Sequence, residues 1–251
     1  MRRKILDSII RNGETFTFDD ARNNSNLSRE SLYLLLHRME NRGIIERIEK
    51  GKYIIIPIGA EKGKYSPHEY LIGKILIRPA VIAYWSALNY HGLTEQIPGR
   101  VFIQSTGRKK DPNPHVLGIS FRIVTIAEKM LFGLKDIWIE QERIKITDTE
   151  KTIVDCLHRP DLCGGVIEVA KGLRERTFDG EKLRDYALKM GNSGIIRRLG
   201  YLSDLLKIDI PVEPVDTRNY LSLDPTMPQS IRRSSKWRLI INIEDEDLLG
   251  E

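Results

Sequence analysis

The chain has 251 residues, of which 41% are hydrophobic and 30% charged, enough for a sizeable core and room for two domains. These proportions exclude a disordered or fibrous chain. The net charge of +5 is unevenly held: residues 1–64 carry 13 Lys and Arg against 9 Asp and Glu, whereas the rest carries 27 against 26. A small basic segment ahead of a near-neutral remainder points toward nucleic acid. An excess of four charges is also what a solvated surface carries, so the motifs must decide.

The longest apolar runs, such as residues 53–58, are far too short to cross a bilayer. No charged stretch leading into an apolar core opens the sequence, so a cytoplasmic protein without a secretory leader is expected. Two cysteines, Cys156 and Cys163, make no disulfide framework, in keeping with a reducing compartment.

In chain order, Ile5, Leu6, Ile9 and Ile10 form a helical stripe over 3–11, which Gly13 ends. Residues 16–18 read as a short strand or lead-in, and 19–24 as a second short helix. Ser28 then caps a third helix, in which Leu32, Leu35, Leu36 and Met39 share one face of a 3.6-residue period. Gly43 stops that helix. Runs 44–48 and 53–56 flank the turn 49–52, with Gly51 in it, and predict a hairpin.

Three helices and a hairpin are the order of a winged helix-turn-helix. At 100° per residue, Glu30, Leu34 and His37 point away from the leucine stripe, flanked by Tyr33 and Arg38. That face is free for a major groove. Ser28 and Arg29 open the helix beside it. Arg29 and Arg38 suit phosphate or a guanine edge, Tyr33 and His37 suit phosphate or base, and Leu34 suits a thymine methyl. Arg47, Lys50 and Lys52 around the hairpin tip suit phosphate, which positions without specifying. The competing reading is a small packing or protein-binding module of the same shape.

Residues 59–67, with two glycines and a proline, read as a linker. Beyond it, helical patterns over 68–77 and 80–90 are broken at Pro79. Runs 101–104 and 119–126 read as strands around the loop 106–114, which carries Arg108, Lys109 and Lys110. A strand over 143–146 precedes a helix opened by Asp148 or Thr149 and running to Leu157. Helices follow over 166–175, 180–190 and 193–206. Residues 208–228 read as irregular, and 237–243 as a last strand before an acidic tail. The expectation is an α+β protein: a winged helix-turn-helix at 1–58, a linker at 59–67 and a larger mixed α/β domain at 68–251.

Tyr84-Trp-Ser-Ala-Leu88 with His91-Gly-Leu-Thr94 resembles a signature of the AbiEi-type antitoxin and transcriptional regulator family. So does Thr147-Asp-Thr-Glu-Lys-Thr-Ile-Val-Asp155, followed by Arg159-Pro160 and Gly164-Gly165. Arg198-Leu-Gly-Tyr-Leu202, Ser235-Lys-Trp237 and Asn242 extend the likeness. The resemblance implies a two-domain repressor that binds inverted repeats of double-stranded DNA in the promoter of its own operon. It also implies a carboxy-terminal domain that neutralises a co-encoded nucleotidyltransferase-like toxin, directly or indirectly. A homodimer or cooperative binding is expected, because a single winged helix buries little surface.

Other constellations are weaker. Asp148, Glu150, Lys151 and Asp155 could form a carboxylate–lysine nuclease site, but they also fit a helix start with a cap and a charge ladder, the reading preferred here. Cys156, His158 and Cys163, with His115 far away, lack the paired spacing of structural zinc. His91 lacks an identifiable partner carboxylate, and no catalytic set emerges. Tyr84, Trp85 and Tyr90 read as core or interface aromatics. Arg197-Arg198 reads as solubilising a helix end; for Arg232-Arg233 and Arg108-Lys109-Lys110, a phosphate-contacting role and a solvated surface both stay open. No enzyme, metal or cofactor is expected.

Overall fold

The computed structural model describes residues 13–61, 63, 65 and 67–250; the helix expected over 3–11 lies outside them. By compactness the chain falls into two units. The first holds the chain up to Ile82 with Ile103–Ile126 and Asp136–Lys145; the second holds Ala83–Phe102, Ala127–Lys135 and the chain from Ile146. The first unit reaches past residues 1–58 because later strands return to it, and no local sequence signal announces such a return.

Strand β1 (Thr15–Thr17) leads into helix α1 (Phe18–Asn23). A reciprocal cap starts α1: the Thr17 hydroxyl accepts the Asp20 N–H at 3.1 Å, and the Asp20 carboxylate accepts the Thr17 N–H at 2.8 Å. The cap draws Phe18 into the helix, where a strand end was expected. Helix α2 (Arg29–Asn41) starts at Ser28 as expected, Oγ accepting the Ser31 N–H at 3.2 Å. Its inner side buries Leu32, Leu36 and Met39 with Phe16, Phe18, Ala21, Ile45 and Tyr53, and Leu35 packs at the edge.

Strands β2 (Ile45–Glu49) and β3 (Lys52–Ile55) form the expected antiparallel hairpin. Gly51 in its turn has φ +75°, a left-handed value that costs glycine nothing. β1 joins the free side of β3, with Phe16 opposite Tyr53, giving the sheet β1-β3-β2. Two helices backed by a three-stranded wing make the predicted winged helix.

Helix α3 (Glu69–Leu76) buries Tyr70, Leu71, Ile72, Ile75 and Leu76. It lies on a six-stranded sheet composed of β4 (Val81–Ile82), β5 (Val101–Ser105), β6 (His115–Val116), β7 (Ile119–Thr125), β8 (Leu134–Ile139) and β9 (Glu142–Thr147). Their order is β6-β7-β5-β4-β9-β8. The helix expected over 80–90 is broken. Val81 and Ile82 pair antiparallel with Gln104 and Ile103, and helix α4 (Tyr84–Tyr90) begins only after Ala83. Two β-branched residues directly after Pro79 and Ala80 prefer the ladder to a helical turn. Strand β8 was not anticipated: of its side chains only Ile137 is buried, while Lys135, Asp136 and Trp138 are exposed, so no apolar alternation marks it.

In the second unit, helix α5 (Thr149–His158) is central, with Ile153, Val154, Cys156 and Leu157 fully buried. Helices α4, α6 (Val166–Arg174), α7 (Gly180–Met190) and α8 (Ser193–Leu206) pack around it. The strand expected over 237–243 shrinks to β12 (Leu239–Ile240). It pairs with β10 (Leu221–Ser222), inside the stretch read as irregular, and with β11 (Arg233–Ser234). A short helix, α9 (Asp245–Leu249), closes the acidic tail.

Arg197 and Arg198 are buried, correcting their reading as surface charges. Arg197 donates from Nε to the Trp237 carbonyl at 3.0 Å and from Nη2 to that of Asn219 at 2.8 Å. Arg198 donates to the carbonyls of Leu223 at 2.8 Å, Leu157 at 2.9 Å and Ser222 at 3.2 Å. Such short strands leave carbonyls without ladder partners, and the five-donor guanidinium supplies them.

Candidate nucleic-acid interface

The winged helix leaves one side of α2 open. Arg29, Glu30, Tyr33, Leu34, His37 and Arg38 are all exposed, opposite the buried leucines. Leu34, an apolar side chain, is 50% exposed and Tyr33 43%, so the core does not claim this face. The Tyr33 ring stacks on Phe18 at 4.2 Å between centroids and 22° between planes. The Arg29 guanidinium lies 5.9 Å from the Tyr33 ring centroid, a cation–π distance. Phe18 thereby orders two of the predicted contact residues before any partner arrives.

Glu30 sits in the first turn of α2. Its own N–H and the Ser28 hydroxyl hold its carboxyl below the usual range, so it stays an acceptor, the chemistry that suits a cytosine amino group. His37 Nε2 is 3.2 Å from Asn41 Nδ2, which orients the ring. Arg38 makes no ion pair among the described residues. Ser28 Oγ serves the cap as an acceptor of the Ser31 N–H.

The three wing cations are not equivalent. Lys50 is exposed and forms no ion pair among the described residues. Arg47 pairs with Glu40 at 2.9 Å and lies 5.8 Å from the Tyr53 ring centroid, bracing the wing to α2. Lys52 turns inward, donating to Glu49 at 3.0 Å and to the Leu76 carbonyl at 2.5 Å. Lys109 reaches the same two acceptors at 2.8 and 3.2 Å. Burial pushes the Glu49 carboxyl up, but the hydrogen bonds from Lys109 and Lys52 outweigh it and leave it below its ordinary value. Glu49 and Lys52 flank a two-residue turn, so their pairing was legible across the hairpin; the arrival of Lys109 from sixty residues away was not.

Between the start of α2 and the wing tip is an open hollow of about 460 Å³, lined by Arg29, Tyr33, Lys50, Lys52, Arg78 and neighbouring residues. It is cationic and wide, a shape for a charged backbone rather than an enclosed small ligand.

The carboxylates of α5 act structurally. Asp148 caps the helix by accepting the Lys151 N–H at 2.9 Å. Glu150 accepts the Asp179 N–H at 3.0 Å and pairs with Lys182 at 2.8 Å. Lys151 and Asp155 form a buried ion pair, and burial raises the Asp155 carboxyl to about 6. Cys156 and Cys163 are buried, and among the described residues no group of three or more His, Cys, Asp or Glu is placed to hold a metal. Tyr84 is buried and Trp85 half-buried, whereas Tyr90 is exposed beneath Lys135, whose ammonium is 5.6 Å from its ring centroid. Among the described residues no helix is long and apolar enough to cross a membrane.

Residues 3–56, which contain this surface, match the family described as "Transcriptional regulator, AbiEi antitoxin". No curated protein matches the chain. The crystal structure of the RV2827C protein from Mycobacterium tuberculosis is similar in fold, with a TM-score of 0.63 at 15% identity over 99% of this chain and 93% of that chain. Over its amino-terminal winged helix, residues 3–56, the chain thus resembles the transcriptional regulators of the AbiEi antitoxin family.

Proposed function

We propose that residues 1–58 read operator DNA in the promoter of the chain's own operon, and that the remainder, residues 68–251, neutralises a co-encoded nucleotidyltransferase-like toxin. The observation that carries the first half is the open face of α2, with Arg29, Glu30, Tyr33, Leu34, His37 and Arg38 exposed on the side opposite the buried leucines. Arg29 and Arg38 supply charge for phosphate or guanine, Glu30 and His37 supply polar edges, and Leu34 supplies an apolar contact for a thymine methyl. Lys50 adds a phosphate contact from the wing. Inverted repeats, bound by two copies or cooperatively, offset the small surface of one winged helix.

The test is anisotropy binding to a duplex taken from immediately upstream of the gene. Arg29→Ala with Arg38→Ala should weaken binding at least tenfold while the thermal unfolding midpoint stays in place; unchanged affinity would remove the assigned face. Tyr33→Phe is the informative change at the third position, since Ala there would also dismantle the stack on Phe18. Co-expression with the neighbouring open reading frame tests the second half. Growth arrest by that gene, relieved by this chain, is expected; a harmless neighbour would leave a stand-alone regulator.

A further inference from the structure

The exposed loop between β5 and β6 has no part in the winged helix, yet the structure fastens it beside the wing. Lys109 donates to Glu49, the last residue of β2, at 2.8 Å and to the Leu76 carbonyl at 3.2 Å. The base of the loop is pinned again: Gly107 N–H donates to Ser105 Oγ at 3.1 Å, and the Thr125 hydroxyl donates to the Gly107 carbonyl at 3.1 Å. Farther along, Asp111 accepts the Asn113 N–H at 2.9 Å, and Arg122 donates to Asn113 at 2.9 Å. A basic loop held at this many points is not merely a solvated excursion.

The residues on either side of the pin are Arg108 and Lys110. Both are exposed, and neither makes an ion pair or side-chain hydrogen bond among the described residues. Lys52 and Lys109 share Glu49, which neutralises one of their two charges and holds both ammonium groups inward; Lys50, Arg108 and Lys110 are not committed in this way. Three unspent cations therefore stand in one neighbourhood, two of them from a segment fifty residues beyond the winged helix. The nearest acid in the loop, Asp111, is occupied in its own turn. The tip offers Thr106, Gly107, Arg108, Lys109 and Lys110, with no aromatic or amide side chain among them.

We infer that Arg108 and Lys110 form, with Lys50, a composite phosphate-gripping surface that extends the DNA footprint outward from the wing. The partner is the sugar–phosphate backbone flanking the bases read by α2, and the grip is indifferent to sequence. Lys109 is a positioning residue, its ammonium locking the loop to Glu49. The inference rests on the DNA-binding reading of the winged helix.

The experiment measures binding of the full chain to mixed-sequence duplexes of about 10 and about 25 base pairs, the shorter being about one helical turn, across a range of salt concentrations. Arg108→Ala/Lys110→Ala should lower affinity for the longer duplex severalfold or more at low salt. It should also flatten the log K against log salt slope by about two, near one for each phosphate left without its cation, with little effect on the shorter duplex. Lys109→Met should lower affinity for the longer duplex by freeing the loop. Circular dichroism and thermal melting confirm that the exposed double variant is folded. An unchanged slope and affinity in the double variant, with Lys50→Ala still flattening the slope, would overturn this inference alone. A wild-type chain that retains neither duplex at low salt would overturn the DNA-binding reading and this surface with it.

Discussion

The buried carboxylate of Glu142 accepts the Thr15 N–H at 2.8 Å, so a residue of β9 holds the first strand of the winged helix. The same carboxylate accepts the Glu14 N–H at 2.5 Å and pairs with Lys74 at 2.7 Å. Tyr65, from the segment read as a linker, donates to Glu14 at 2.9 Å. The start of β1 is thus tied to elements far along the chain.

Replacing Glu142 by Leu leaves two amide N–H groups and an ammonium without their acceptor, which should cost about 2–3 kcal/mol. Glu142→Gln keeps one acceptor oxygen and should cost less. Gly13→Ala should mimic the loss, because its φ is +124° and a Cβ there would stand 2.6 Å from Glu142 Cδ. Urea unfolding measures all three, and a Glu142→Leu midpoint equal to wild type would refute the tie.

The wing lysines should separate. Lys50→Glu should weaken binding to every DNA sequence alike and reduce the salt slope by about one or slightly more, since Lys50 is unpaired and exposed. Lys52→Ala should act mainly on stability, because its ammonium is committed to Glu49 and the Leu76 carbonyl. Equal loss of DNA affinity in both, with stability intact, would show that Lys52 faces the duplex after all.

In the second unit, Lys151 is wholly buried against Asp155. Lys151→Met strands a buried carboxylate and should destabilise by about 3–5 kcal/mol. The double change Lys151→Met/Asp155→Leu should recover much of that, since no charge is then left in the apolar interior. A double-mutant cycle in denaturant gives the coupling, and strictly additive losses would exclude the pair as a unit.

Acid should weaken the fold through its histidines. Burial holds His91 and His158 below the usual histidine value. Neutral His91 donates from Nε2 to the Thr147 carbonyl at 2.7 Å and turns Nδ1 toward the Lys135 ammonium at 3.4 Å, so a second ring proton would meet a cation. The unfolded chain then binds more protons than the folded one, and this contribution, present above about pH 6.5, is lost as the pH falls. Asp155 acts in the opposite sense, adding stability below about 6. The clean measurement is therefore the difference between wild type and His91→Gln/His158→Gln. The variant should lose less stability between about pH 7 and 5, and parallel curves would count against the histidines.

Much of the winged helix was legible because its signals are local. The spacing of Leu32, Leu36 and Met39 marks a face, Ser28 marks a start and Gly51 a turn, each acting over one or two helical turns of chain. The same spacing places Arg29, Glu30, Tyr33, Leu34, His37 and Arg38 on the opposite, open side. Strand β8 carried no such pattern, because Ile137 is its one buried residue and the side chains on either side of it, Asp136 and the aromatic Trp138, are both exposed. Arg197 and Arg198 looked like surface charge because nothing nearby in sequence announces the carbonyls of residues 219–238 that they serve.

Helix type, capping and the orientation of α2 follow from the sequence by itself, since a 3.6-residue apolar period and a hydroxyl cap act within a few residues and need no partner. Tertiary structure alone decided which charges remain available. Arg47, Lys50, Lys52, Arg108 and Lys110 read alike as a string of cations. Only the fold brings Glu40 to Arg47, and Lys109 beside Lys52 on Glu49. A charge becomes spent or free according to the carboxylate that long-range packing delivers to within hydrogen-bond reach.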